Sequence, residues 1–571
     1  MRTRTIGCLF LLIALTGCDD DKRESVSGDT SIADANTAVD GDAKADTTDT
    51  SGRDVKGEAD ADAADTLGGD VKGEGDADNS ADTADASAED ARDDRVVVTL
   101  AVKKGFPDLW GEGASTIEGG GANGVKFFVT SLADTEEANF IPASPGVEAH
   151  YEGTIRGALS LEEPRHIIPR VSGAVDLGSG ILLDGYQYSH FTYHGHLAPE
   201  GGFSLTNNNL VIRRNRNIVV RFLRARYGRA AGLAEDDALL FYRAHTFAVD
   251  HSSLAWAGDE TFSIGTTRNT PYPAIIGQNN IVGQTREGHN TGSLIGYTSS
   301  AGGAQGVVSW HNNVYVGVSH RTPNFAGDSE MFGRIFNNIT YDWQSRLTNL
   351  VGAPTVDVAY NYYKKGPTRS DMPSNRYNKY QDLRESRPYP PSIYTAGNIM
   401  PGVLEDPGAD NQQLWTLFQS VDPVPVELFR TTPLPVDSEV GYQPSTAEQA
   451  YARNVLAKEA GANRTTDSAG NPVIGLDSVD DHYLEAIANG TDPRTPEANW
   501  VHPPVPSNTP FPDANKNGIA DAFEAAHGIT SADEVIVDWD FGEYLVANEA
   551  GYTAFEMYSA WVAGDFERLA Q

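Results

Sequence analysis

The feature that most restricts how this chain can fold is a polar residue followed by an apolar one, returning at nearly regular intervals. Ser253-Leu254, Asn280-Ile281, Asn313-Val314, Asn338-Ile339 and Asn361-Tyr362 stand 27, 33, 25 and 23 residues apart. Each lies in a short β-run bounded by Gly, Asn or Asp, and the earlier runs Asn217–Ala225 and His245–Ala255 fit the same frame. Such a period, with one set of strands per repeat, marks a solenoid whose coils bury their apolar faces against one another. Asparagines recurring at one turn position would stack as a hydrogen-bonded ladder inside a parallel β-helix. A β-sandwich or propeller also repeats its strands, but joins them through tight two-residue hairpin turns that these runs lack.

The rest of the chain is divided by composition. Of 571 residues, 39% are apolar and 57 are glycine, which suits a turn-rich β architecture with a sizeable core. The formal charge of -37 excludes nucleic acid as a partner, since its phosphates would be repelled. An acidic substrate remains open, because a bound metal ion can invert the local field. Residues 96–400, starting abruptly at Arg95-Val96-Val97-Val98, hold the solenoid runs. Residues 19–95 are Asp, Ala, Thr, Gly and Ser, with DVKGE at Asp54–Glu58 and again at Asp70–Glu74. They read as a self-repelling disordered stalk, because too little apolar surface is available to offset chain entropy.

Residues 1–18 carry Arg2 and Arg4, an apolar stretch too short to span a bilayer, and Leu15-Thr16-Gly17-Cys18. That ending resembles the lipobox of bacterial lipoproteins, and the resemblance implies cleavage before Cys18, lipidation there and membrane anchoring of the exported chain. Asp19 resembles an inner-membrane retention signal of enteric bacteria, but the rule does not transfer safely, so the outer membrane or cell surface is expected. Cys8 and Cys18 are the chain's two cysteines, so the folded part holds no disulfide.

Residues 401–500 read as a helical extension packing on an end or edge of the solenoid. Ser445-Thr446-Ala447-Glu448 reads as a capping box opening a helix closed by Gly461, and Ser478 to Gly490 reads as a second helix. Residues 501–571 hold DANKNGIADAFE, an EF-hand-like calcium loop. Its ligands would be Asp513, Asn515, Asn517, the Ile519 carbonyl, Asp521 and bidentate Glu524, with Gly518 at the sharp turn. A second copy around AGYTAFEMY has Val546 and Ala550 where ligands should stand.

The order of motifs from about 105 to 530 resembles polysaccharide lyase family 1, the pectate lyases, and within it the pectate trisaccharide-lyase-like group. The matching pieces are Gly105–Ala114, Val129–Asp134, Gly153–Leu159, Gly195–Gly202, Asn217–Gly228, Asp236–Leu239, Val249–Gly265, Asn290–Gly296, His311–Pro323 and Tyr360–Pro367. The resemblance implies an all-β, right-handed parallel β-helix, a calcium cofactor and cleavage of pectate. It implies calcium ligands at Asp237, Asp259 and Glu260, with Asp236 the lesser of its pair, and a catalytic base at Arg321, eight residues after Asn313. His311, His320 and Asn290 are the expected substrate contacts, and the protein is expected to be a monomer. Three departures stand out: Ser263 where the family often has a further Asp, Asn324 where a second arginine is common, and no lysine near His289-Asn290.

That chemistry is coherent. β-Elimination removes a weakly acidic proton beside a carboxylate, so the site must neutralise that carboxylate and stabilise an enolate-like charge. Arginine is an awkward base, its pKa lying above ~12. Two other readings keep the fold: an inverting hydrolase using paired Asp residues, and a non-catalytic lipoprotein that binds polysaccharide. Counting coils places Asp259 and Arg321 on the same side, two coils and ~10 Å apart.

Overall fold

In the computed structural model, which describes residues 95–228, 236–265, 274–287, 290–296, 298–299, 302–303, 306–327, 329–368, 377–381 and 390–571, short strands repeat in threes. The signal segment, Cys18, the stalk and His289 lie outside the described residues. One coil consists of Gly306–His311, Val314–Val316 and Asn324–Gly327, and the next of Met331–Phe336, Ile339–Tyr341 and Asn349–Gly352. Equivalent strands pair in parallel and in register, Val308 with Gly333, Val314 with Ile339 and Phe325 with Leu350. Repetition builds sheets of twelve, nine and eight described strands wound around one interior, a parallel β-helix. In the twelve-stranded sheet, Ala138–Ile141 runs antiparallel to its neighbour.

Alternation along each strand sends Val308, Trp310, Tyr315 and Phe325 inward, where they are wholly buried. The Trp310 indole donates to the Tyr315 hydroxyl at 2.8 Å, satisfying both polar tips. The corners after the twelve-sheet strands that end at Gln278, His311 and Phe336 are asparagine pairs. Asn279, Asn312 and Asn337 take φ of 57°, 59° and 53°, a left-handed turn that asparagine tolerates. The next residue faces inward. Asn280 Nδ2 donates to Asn313 Oδ1 at 2.9 Å, Asn313 to Asn338 at 3.0 Å, and Asn338 to Asn361 at 3.2 Å. The ladder continues to Asn398 and, through the Asn398 backbone, to Asn411. At its other end the rung is Ser252, whose N–H reaches Asn280 Oδ1 at 2.8 Å, while Ser253 pairs with Ile281. The sequence marker at Ser253 was one residue late, because adjacent serines leave the register open.

The two helices of the extension cover a face of the solenoid, while its segment from Leu414 to Leu428 lies at the last coil. Tyr483, Leu484, Ile487 and Val455 pack on Ile281, Val314, Val316, Ile339 and Tyr341, the outward side chains of the eight-stranded sheet. Those strands are apolar on both faces and so require a cover. The first helix is capped one residue later than expected: Thr446, not Ser445, pairs with Gln449 in the capping box. The second runs Ser478–Asn489, capped by Asp477 and stopped by Gly490 at φ 72°. The interior is closed near the first coils by Ile155, Ala158 and Leu159, and at the last by Leu414, Trp415, Val424 and Leu428. The first β-run does not open the solenoid. Val96–Thr99 pairs in parallel with Tyr544–Ala547, joining both ends of the described chain in a separate small sheet.

Candidate active site

The turns entering the nine-stranded sheet lie on top of one another. Glu260 bridges Thr291 and Thr291 bridges His320, so Glu260, Thr291 and His320 occupy three consecutive coils. One coil earlier, the Asp236 carbonyl accepts from Asp259 N at 3.1 Å, and Asp237 Oδ1 accepts from Glu260 N at 3.2 Å. Asp236 itself takes the Tyr227 hydroxyl at 3.1 Å. The two-coil offset of Asp259 and Arg321 that counting predicts is therefore the observed geometry.

Three carboxylates meet here. Ligand oxygens of Asp237, Asp259 and Glu260 all lie within 4.8 Å of one another. The residues are only 6%, 4% and 2% exposed. Burial, then the neighbouring Asp259 charge, pushes the Asp237 carboxyl well above the usual carboxylate range, against hydrogen bonding from Ser263 and the Arg321 charge. Arg321, buried at φ 63°, makes an ion pair with Glu260. Thr291 Oγ1 lies 3.5 Å from Asp259 Oδ1. Three buried carboxylates so close together offer the oxygen ligands that a hard dication takes. Glu260, paired with Arg321, is also one of the three acids placed to hold a metal ion.

Not every expected residue joins them. His311 ends a strand of the twelve-stranded sheet, where its Nε2 meets the Trp110 carbonyl at 2.8 Å and its ring stacks on Tyr442. It lies on another side of the coil from Arg321, because the Asn312-Asn313 corner and the strand Val314–Val316 intervene. Asn290 is only 7% exposed and fully used: its Oδ1 accepts from Thr285, and its Nδ2 donates to the Gly317 carbonyl at 3.2 Å. His311 thus stands apart from the acidic cluster, whereas His320 lies beside Arg321 in the stack. Asn324 is buried and accepts from Asn349 Nδ2 at 3.0 Å, forming a second, interior asparagine contact. His251 is structural, held by Asp250 at 2.7 Å and stacked on Phe222. Sequence reasoning passed over Thr291; the available signal was its polar side chain one coil before Arg321.

The loop Asp513–Glu524 closes on itself. Asp513 accepts from Asn517 N at 3.1 Å and Gly518 N at 3.2 Å. Asn517 Oδ1 accepts from Ile519 N at 2.9 Å, and Asp521 Oδ1 from Ala514 N at 2.9 Å. The amides of Asn515 and Asn517 donate to Glu524 at 3.0 and 2.6 Å. Gly518 takes φ 89°. Carboxylate and amide side chains of the loop thus bond to one another and to its own backbone. A helix, Asp521–His527, follows the loop, but residues 501–512 form none. Around the suggested second copy, Thr553 and Glu556 instead form a capping box.

No family model matches the chain. It is 29% identical over 279 residues to "Probable pectate lyase C" of Aspergillus terreus, covering 48% of this chain and 58% of that protein. The corresponding protein of Emericella nidulans is 28% identical over 275 residues, 48% of this chain and 56% of its own length. The Aspergillus fumigatus protein is 25% identical over 460 residues, covering 80% of this chain and 92% of that protein. The chain thus spans just over half the length of the first two relatives and most of the third. Among solved structures, jun a 1, the major cedar-pollen allergen, gives a TM-score of 0.40 at 16% identity over 62% of this chain and 92% of that one. Pectate lyase C from Erwinia chrysanthemi gives 0.36 at 16% identity over 62% and 96%.

Proposed function

We propose that this chain is a polysaccharide lyase that cleaves pectate or a related uronan by calcium-assisted β-elimination. The observation that carries the reading is the stacking of Asp237 and Asp259 on successive coils with Arg321 two coils beyond Asp259 on the same side; the similarity to fungal probable pectate lyases supports it. Asp237 and Asp259 would hold calcium, which when bound neutralises a substrate carboxylate and acidifies the neighbouring C–H as a Lewis acid. Arg321, released from Glu260 as substrate enters, is the base at the C–H and positions the adjoining uronate. His320 and Thr291 line the same stack. The loop Asp513–Glu524 holds a second, structural calcium. The coil is right-handed, as connections between parallel strands are in nearly all proteins. Cys18 anchors the exported protein to the cell envelope.

The hydrolase alternative loses its geometric basis for the clustered acids. An inverting pair needs about 6.5–9.5 Å between carboxyl groups to admit water, and Asp237, Asp259 and Glu260 bring oxygens within 4.8 Å. The test is incubation with polygalacturonate, with and without chelator, while ultraviolet absorbance and new reducing ends are followed. The lyase yields absorbing, unsaturated products that vanish with chelator, and Arg321→Lys slows their release by about 10²–10⁴-fold. Reducing ends without absorbance would establish a hydrolase. Binding with neither product would establish a saccharide-binding protein.

A further inference from the structure

At the Asn279 and Asn312 corners, the ladder residues face inward and their left-handed neighbours remain outside. There a cavity of ≈ 370 Å³ opens between the coils, Trp110, Tyr442, and the segment carrying Gln449 and Arg453. It shares no residue with the cluster of Asp237, Asp259 and Arg321. Its walls mix ring faces with amides and guanidinium groups. The Tyr442 ring is fixed against His311 at 3.9 Å, and its hydroxyl lies 3.2 Å from Asn312 Oδ1 and 2.9 Å from Asn337 Oδ1.

Two groups in this wall lack the partners their chemistry calls for. Arg568, which also lines it, is neutralised by Asp108 and Asp565. Arg453 has no carboxylate partner among the described residues; its guanidinium reaches the neutral Asn312 amide oxygen and, at 3.5 Å, the Tyr442 hydroxyl. Asn279 is 7% exposed and donates Nδ2 to Asp250 at 3.2 Å, yet its Oδ1 accepts from no donor among the described residues. An unmatched guanidinium beside an unmatched amide acceptor calls for a ligand with an anion at one end and a hydroxyl within reach.

We propose that this cavity binds a uronic-acid unit, forming a second saccharide site apart from the catalytic stack. The guanidinium would take the sugar carboxylate, for which its planar fork is suited. Asn279 Oδ1 would accept from a ring hydroxyl, and the Trp110 and Tyr442 rings would bound the apolar side of the sugar. The volume falls in the range of small-ligand pockets, about 300–1,000 Å³. A bare phosphate would use the arginine but neither the rings nor the amide acceptor. The choice of a uronate rests on the lyase reading; the cavity and its unmatched groups do not.

The test is calorimetric titration of the full chain, in chelator, with galacturonate, galactose and inorganic phosphate. Saturable binding of galacturonate is expected, with galactose and phosphate markedly weaker. Arg453→Gln should weaken galacturonate roughly 10–100-fold, as expected for loss of a charge-assisted hydrogen bond. Arg321→Lys should leave this binding unchanged. If Arg453→Gln melts abnormally, Asn279→Gly, which keeps the left-handed turn, should give a smaller loss. No saturable binding, equal binding by phosphate or galactose, or binding lost with Arg321→Lys but kept with Arg453→Gln would overturn the assignment. Arg453-dependent binding in a protein that forms no unsaturated product would sink the lyase reading alone. Unsaturated product without Arg453-dependent binding would sink the second site alone.

Discussion

Glu260 forms an ion pair with Arg321, the proposed base. A buried carboxylate paired with Arg321 favours the protonated guanidinium and so opposes its acting as a base. Removing that charge should lower the arginine pKa, since one favourable interaction with the charged form is lost. Glu260→Gln is therefore expected to move the alkaline rise of kcat to lower pH, with an unchanged calcium requirement. A pH–rate profile that does not move would make Arg321 a fixed charge rather than a base. A raised calcium requirement would place Glu260 among the metal ligands. The sequence could not display this pairing. Spacing gives the coil on which a residue sits, whereas the pairing of Glu260 with Arg321 depends on side-chain direction within one turn. His311 shows the same limit: ten residues from Arg321, it is carried to another side of the coil by one asparagine corner.

At the scale of the element, the asparagine ladder is the part of the fold most legible beforehand, because its side chain, turn and period all coincide. Asn313 accepts from Asn280 at both N and Nδ2, and donates to the Gly277 carbonyl and Asn338. Asn313→Ala would leave the buried Asn280 N–H without its acceptor and break both donated bonds. Loss of about 2–4 kcal/mol is expected, read as a lower denaturation midpoint at unchanged slope. A change below about 0.5 kcal/mol, the size typical of surface substitutions, would show that water replaces the amide. The sequence reading of the ladder slipped only at Ser252, where a neighbouring serine offers the same chemistry, and stopped before Asn398, where the interval lengthens. The loop Asp513–Glu524 is a second legible element, since Gly518 takes the left-handed turn at the position the motif reserves for it. Its Asn515 carbonyl accepts from Glu148 N at 2.8 Å, tying it to the first coils. Glu524→Ala should abolish most of the calcium-dependent rise in melting temperature, because binding to the folded state stabilises it by mass action. A rise that persists in full would assign it to another site.

At the scale of the whole molecule, the outer face of the twelve-stranded sheet is covered by both ends of the described chain, and that largely apolar cover contains a polar patch. Ser559, on the helix Ala554–Ala563, meets His194 Nδ1 at 3.0 Å and His196 Nε2 at 2.9 Å. His166 Nδ1 lies 3.0 Å from His194 Nε2. Burial is the first cause that depresses all three, His166 to about 3 and the other two well below their ordinary value. Unfolded, each would take up a proton near pH ~6.5. Folded, each stays neutral to much lower pH, so the unfolded state binds more protons. The stability these neutral histidines provide is complete above ~6.5 and is lost as pH falls, at up to ~1.4 kcal/mol per pH unit for each. Asp250 has its carboxyl depressed, with His251 and Arg221 opposing its burial, and adds to this loss only below about pH 4. Denaturation midpoints between pH 6.5 and 5 therefore exclude Asp250, and comparison with a histidine variant separates this cluster from the other buried groups that titrate there, Asp480 at about 6 among them. We expect a steady fall across that window and a shallower one in His166→Gln, with backbone amides of Ala554–Ala563 losing exchange protection before those of the coils. An equal slope in the variant would place the acid sensitivity elsewhere. Loss of the coils and the helix together would show that this cover unfolds only with the solenoid.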